Sequence, residues 1–202
     1  MYDSVRAAFT AFTEQFEGNT TWMYLDVKGL VTTGRGNLID PPSMALELPW
    51  RTADGVPATH DQILTEWLRV KGLAAQDQRG GGWFKKGAQL WLAQDAVDLL
   101  TMRKAASMDQ YLTTRFANYA TLYADAQLAV LSMAWAMGPA FHFPKFEAAL
   151  AAEDYVVCAC ECQIDENQNP GVKPRNEANE HLFVNSAESM NAGLDRAILQ
   201  SY

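Results

Sequence analysis

A chain of 202 residues with 49% hydrophobic and 20% charged content holds enough apolar material for one substantial core or two small lobes, which excludes disorder as the starting reading. Its formal charge of −8 is uneven: ten acids face three bases after Lys145, against fourteen and thirteen up to that point. Phosphate binding needs clustered Lys and Arg, and no such stripe is present, so a nucleic-acid partner is not expected, and the acidic C-terminal quarter reads as a solvated face or as a docking surface for a basic partner.

The start, "MYDSVRAAF", lacks a basic stretch followed by an apolar run, so synthesis in the cytoplasm without a signal peptide is expected. Val5, Phe9, Phe12 and Phe16 recur at helical steps and predict an amphipathic helix that ends at Gly18, with Glu17 on its last turn. β-formers on either side of "DVKG" predict a hairpin over 22–36, with Asp26 closing the first arm and Leu30, Thr32 and Gly34 on one side of the second. Four prolines between 39 and 59 predict an irregular connection and a lobe boundary. Thr59 followed by Gln62 is a capping box opening a helix that stops at Gly72, with Ile63, Leu64, Trp67 and Leu68 on its apolar face.

"RGGGWFKKG", 79–87, lacks the GK[ST] ending of a phosphate loop. It reads as a mobile connection, or as a loop that stacks Trp83 on a sugar face while Lys85 and Lys86 attract an anionic polymer. From 88 to about 165 the pattern is helical almost throughout. The apolar run 128–141 is too short to span a bilayer and predicts a buried core helix. A Pro/Gly turn at "NPG" precedes a last helical stretch containing Leu182 and Phe183.

Cys158, Cys160 and Cys162 are too tightly spaced for a disulfide framework and lack the CxxC or neighbouring His of a zinc site, so they read as small buried helix residues. The three histidines, His60, His142 and His181, lie in no HExxH or nucleophile motif, so neither metal nor cofactor is expected. Carboxylate chemistry remains, in which one protonated acid donates to a leaving group while an ionised partner activates or stabilises. Glu17 beside Phe16 is the drier candidate and Asp26 beside a turn the wetter one. Spacing alone leaves the pair readable as an ordinary surface hairpin.

The run "FEG", "MYLD", "KG", "TTGRGN" resembles the N-terminal signature of the phage-type lysozymes (endolysins), with Glu17, Tyr24, Asp26, Gly29, Thr32, Gly34, Gly36 and Asn37 at the family's spacings. The stretches 127–155 and 171–183 are similar to the family's central helix and its "GLxxRRxxExxLF" segment. There the second Arg is replaced by Asn176 and the Glu by Asn179, so only Arg175 carries over. About half of the chain is covered.

The resemblance implies a mostly helical α+β, lysozyme-like fold: one domain over 1–202, with a small β-hairpin lobe and connector at about 18–58 and a larger helical lobe from 1–17 and 59–202. It implies a muramidase that cleaves the β-1,4 bond between N-acetylmuramic acid and N-acetylglucosamine in a cleft between the lobes. Glu17 would be the general acid; Asp26 would stabilise charge on the sugar and, with Thr32, orient the attacking water. Tyr24, Gly34, Gly36, Asn37, Trp83 and Arg175 would bind or frame the substrate, Arg175 by pairing with Glu17. Inversion is the family's usual outcome and requires carboxyls roughly 6.5 to 9.5 Å apart. Peptidoglycan glycan strands are the implied partner, and the wall or periplasm the place of action, reached by holin release or a secretion system. An immunity or inhibitor protein fits the second route. A lytic transglycosylase using Glu17 alone, and an inactive wall-binding protein on the same fold, are the alternatives.

Overall fold

The computed structural model describes residues 1–73, 80–167 and 170–200. Arg79 of the glycine-rich loop and Asn169 of the Pro/Gly turn lie outside the described residues. The protein is mostly helical with one small antiparallel sheet, ordered β1-β2-β3. Two compact units are present, Met1–Phe16 with Lys104–Tyr202, and Glu17–Arg103. The proline-rich 39–59 segment lies inside the second of them. Among the described residues no helix is long and apolar enough to cross a membrane.

The first unit is helical. α1 (Asp3–Glu17) contributes its face of Val5, Phe9, Phe12 and Thr13. α4 (Gln94–Arg115) enters this unit at Lys104. α5 (Ala124–Met137) is apolar all round and buried from Ala124 to Trp135, as the central helix of a core must be. α8 (Lys173–Asn191) packs on it, α7 (Tyr155–Glu161) packs on α8, and α6 (Pro144–Ala151) on α7. Edge-to-face contacts of Phe9 on Trp135 at 5.3 Å and Phe146 on Phe183 at 5.5 Å lock the layers. Glu147 Oε1 accepts from Arg115 Nη2 and the Phe143 N–H and contacts His142 Nδ1, fixing the turn before α6. Cys158 and Cys162 are buried and Cys160 is exposed. Burial, and then the charge of nearby acids, pushes the Cys158 and Cys162 thiols up to about 12. Neither is a reactive thiolate at neutral pH.

The second unit carries the sheet: β1 (Thr20–Leu25), β2 (Val31–Gly34) and β3 (Asn37–Leu38). The expected hairpin is present, and a third strand extends it because the chain turns back at Arg35–Gly36. α2 (Pro42–Leu46) is a short helix with proline in its first turn, inside the segment expected to be irregular. α3 (His60–Lys71) shows the complete capping box, Thr59 Oγ1 accepting from the Gln62 N–H and Gln62 Oε1 from the Thr59 N–H. Met23, Leu25, Val31, Ile39, Trp50, Ile63, Trp67, Val70, Leu90 and Leu92 form the core. Its two largest residues satisfy their indole donors on backbone carbonyls, Trp50 on Ala45 and Trp67 on Ile39.

One sequence expectation fails between 88 and 93, which are extended rather than helical. Ala88, Leu90 and Leu92 are buried while Gln89, Trp91 and Ala93 point outward, the period of a strand. The backbone is held from two sides, by paired hydrogen bonds between Trp91 and Arg51 and by the Leu92 N–H on the Thr21 carbonyl. Tertiary pairing has overridden the helical propensity of Ala, Gln and Leu.

At the base of the hairpin, Asp40 Oδ2 accepts from the Val31 N–H and from Lys71 Nζ, which also donates to the Gly29 carbonyl. Burial raises the Asp40 carboxyl, but the Lys71 hydrogen bond, the Val31 N–H and the ammonium charge outweigh it and hold it below the usual range. A depressed carboxyl contributes stability above its unfolded pKa of about 4 and loses it as pH falls through the folded value. Asp40→Asn is therefore expected to cost roughly 1 kcal/mol at pH 7 and to flatten the acid limb below about pH 4, read from urea midpoints across pH.

Candidate active site

The second unit holds seven of the nine residues singled out in the sequence on or beside the hairpin and its turns, with Tyr24 and Thr32 on one face and Asn37, opposite Thr33, on the other; an eighth, Trp83, lies in the glycine-rich loop packed beside them. Strand alternation and register do this. Tyr24 stands directly opposite Thr32, so both side chains share a face, and Asp26 follows two residues after Tyr24 at the end of the arm. The register slips between Thr20 and Tyr24. There the buried Thr33 hydroxyl lies within hydrogen-bond reach of the Thr20 and Trp22 carbonyls.

Asp26 is half-buried, and its Oδ1 accepts from the Lys28 and Leu30 N–H groups at 2.8 Å each. The carboxylate is thus part of the turn, and Oδ2 carries no hydrogen bond among the described residues. The Thr32 hydroxyl donates to the Leu30 carbonyl at 3.1 Å. With its proton committed, its oxygen can only accept from any further partner.

Glu17 is half-buried, like Asp26, so burial does not separate the two as the sequence suggested. Its carboxylate lies against the second turn of the hairpin: a Cβ on Gly36 would stand 3.4 Å from Glu17 Oε2. Gly36 has a φ of +74°, and a side chain there would be strained as well as crowded. Gly34 is more constrained, since a Cβ would meet Asn37 Oδ1 at 2.8 Å.

Tyr24 reports on both carboxylates. Burial first, then the negative charges of Glu17 and Asp26, push its hydroxyl up to about 12, offset in part by a hydrogen bond from the Gly36 backbone. The hydroxyl stays protonated at any working pH and is a neutral donor set near two acids. Tyr24→Phe is expected to leave stability within about 1 kcal/mol, the worth of one hydrogen bond, as unfolding midpoints would show.

Asn37 is buried, and its side-chain oxygen accepts from the Arg35 N–H at 3.2 Å, so it holds its own turn. Trp83 is 47% exposed on a 3-10 turn, Gly81–Lys85. That turn packs on β1: Trp22 Nε1 donates to the Gly81 carbonyl, a Cβ on Gly81 would lie 3.4 Å from the Tyr24 ring, and Lys85 Nζ sits 5.2 Å over the Trp22 ring. Arg175 belongs to the first unit. It is buried, donates to the Ser132 carbonyl and hydroxyl oxygens, and stacks 4.7 Å over Phe16, the residue before Glu17. Of the two substituted positions beside it, Asn176 ties down Ile164 and Glu166. Asn179 is fully buried, and neither of its side-chain atoms has a hydrogen-bond partner among the described residues.

Arg35 was not flagged by the sequence. Between two glycines of a hairpin it reads as exposed, yet it is among the most buried side chains, bonded to Asp98 Oδ1 at 2.8 Å and Thr101 Oγ1 at 3.2 Å. Gln94 extends the network from Asp98 to Asn19. The hairpin turn that meets Glu17 is thereby anchored to the start of α4. Among the described residues no group of three His, Cys, Asp or Glu is arranged to hold a metal ion. Neither a family profile nor a curated protein sequence matches the chain.

Proposed function

We propose that this protein is a peptidoglycan-degrading glycoside hydrolase, a muramidase of lysozyme-like fold that cleaves the β-1,4 bond after N-acetylmuramic acid. The observation that carries the reading is the geometry of the hairpin: Asp26 follows two residues after Tyr24 on its first arm, and the Glu17 carboxylate lies against its second turn at Gly36; burial first, and then the charges of Glu17 and Asp26, raise the Tyr24 hydroxyl. Thr32 is its direct cross-strand neighbour.

Glu17 acts as the general acid, giving its proton to the glycosidic oxygen as the bond to C1 breaks. Asp26 and Thr32 hold the water. The free Oδ2 of Asp26 and the acceptor-only oxygen of Thr32 take both water protons, which directs the water's lone pair at the anomeric carbon. The proton released on attack passes to Asp26, so inversion is the expected stereochemistry. Gly36 lets the backbone approach Glu17, where a side chain would occupy the position of the leaving sugar.

The target is wall peptidoglycan, reached by holin release or by a secretion system. Digestion of purified sacculi, with mass spectrometry of the released muropeptides, tests the reading. Reducing-end products are expected. Products one water lighter, with a 1,6-anhydro end, would instead show transglycosylation, and no release would leave a wall-binding protein.

A further inference from the structure

We infer that the face around Trp91 is a second glycan-binding groove, separate from the Glu17 site, that takes a β-1,4-linked N-acetylhexosamine chain. The sugar class rests on the muramidase reading; the groove rests on its own geometry. A cavity of about 540 Å³ is lined by Thr52, Asp54, Asp61, Gln62, Gln89 and Trp91, among others. A second depression of about 360 Å³ shares Thr52, Ala53 and Trp91 with it. Trp91 therefore sits where two contiguous hollows meet, an arrangement suited to consecutive sugar rings rather than to one compact ligand.

Three features give the groove its chemistry. The strand period at 88–93 turns Trp91, half-buried, toward the groove, and both backbone hydrogen bonds to Arg51 fix where its side chain starts. Trp22, Trp50 and Trp67 each donate their indole N–H to a backbone carbonyl, whereas that of Trp91 has no partner among the described residues. It offers a stacking face with an open donor beside it. The wall is also built in advance. Glu66, 2% exposed, is gripped by Arg69 through two hydrogen bonds of 2.8 and 2.7 Å and accepts the Gln89 N–H. Arg69 keeps its third nitrogen for a ligand.

Charge selects the ligand. Asp54, Asp61 and Glu66 against Arg69 leave the groove negative, which repels phosphate-bearing polymers. Carboxylates, amides and hydroxyls around an indole match the hydroxyl and acetamido groups of a neutral sugar, whose C–H face packs on the ring. Such a groove keeps the enzyme on a polymeric wall between cuts.

The test uses the full chain carrying Glu17→Gln, so that binding is read without turnover. Titration with the hexamer of β-1,4-linked N-acetylglucosamine, followed by 1H–15N NMR, is expected to shift the Trp91 indole and the Gln62 and Gln89 side-chain amides. Trp91→Ala is expected to weaken co-sedimentation with purified sacculi about tenfold, and the exposed Gln89→Ala to weaken it in the same direction should the Trp91 variant not fold. Unmoved signals at millimolar hexamer, or shifts produced by a lysine-rich peptide and not by the sugar, overturn the groove. Muropeptide release without these shifts removes the groove and leaves the muramidase; shifts without muropeptide release from the unsubstituted chain keep the groove and remove the muramidase.

Discussion

Glu17→Gln is expected to reduce release of muropeptides from sacculi by about a thousandfold, the usual worth of a positioned general acid, while leaving the unfolding midpoint where it was. The substitution is nearly isosteric. It removes the transferable proton but keeps the side chain against Gly36, and the nearby core residues Met23, Leu25 and Val31 are untouched. Full activity in a folded Glu17→Gln variant would sink the assignment. The companion substitutions separate hydrolysis from its neighbours. On the proposed mechanism Thr32→Ala removes the acceptor assigned to the water and should slow hydrolysis, whereas Thr32→Ser retains the hydroxyl and should restore most of it. A transglycosylase, which uses no water, would be indifferent to the first change.

The parts of this molecule that were legible in the sequence are those where local chemistry and tertiary structure agree. The α3 start is written in Thr59 and Gln62, and the α5 core in a mostly apolar run. The hairpin is legible for the same reason, because its turn needs Asp26 and Gly29 and its strands supply β-formers. The stretch 88–93 was misread since its residue types favour a helix, and the Arg51 backbone that converts it to a strand is about forty residues away in sequence. Asn37 was singled out only by its match to a family pattern, whereas the structure shows its side-chain oxygen serving the turn. Arg35 illustrates the general difficulty. A charged residue is assumed exposed unless a partner is known, and its partners Asp98 and Thr101 lie on a helix more than sixty residues later.

That partnership makes Asp98 the residue outside the catalytic group whose loss is expected to matter most. Breaking a buried ion pair by removing one member costs about 3–5 kcal/mol, because the survivor stays charged without compensation. Arg35 is the buried member, with only 2% of its side chain exposed, while Asp98 keeps 42%. Water can replace part of the lost carboxylate, so Asp98→Ala is expected to cost about 2–3 kcal/mol, measured as a lower urea midpoint at unchanged m. Thr101 keeps accepting from Arg35 while its own proton goes to the Val97 carbonyl, but a neutral hydroxyl supplies no compensating charge. The double variant Arg35→Met, Asp98→Leu removes both charges and should recover much of the loss; strict additivity of the two single changes would show that the pair does not act as a unit. Function should follow the same order. The Arg35 backbone N–H is bonded to Asn37, and the turn between them carries Gly36 to the Glu17 carboxylate. Loosening Arg35 frees that turn, so Asp98→Ala should lose turnover on sacculi at temperatures where it is still folded, while a core substitution of equal cost in the first unit, such as Ile for Phe146, should not.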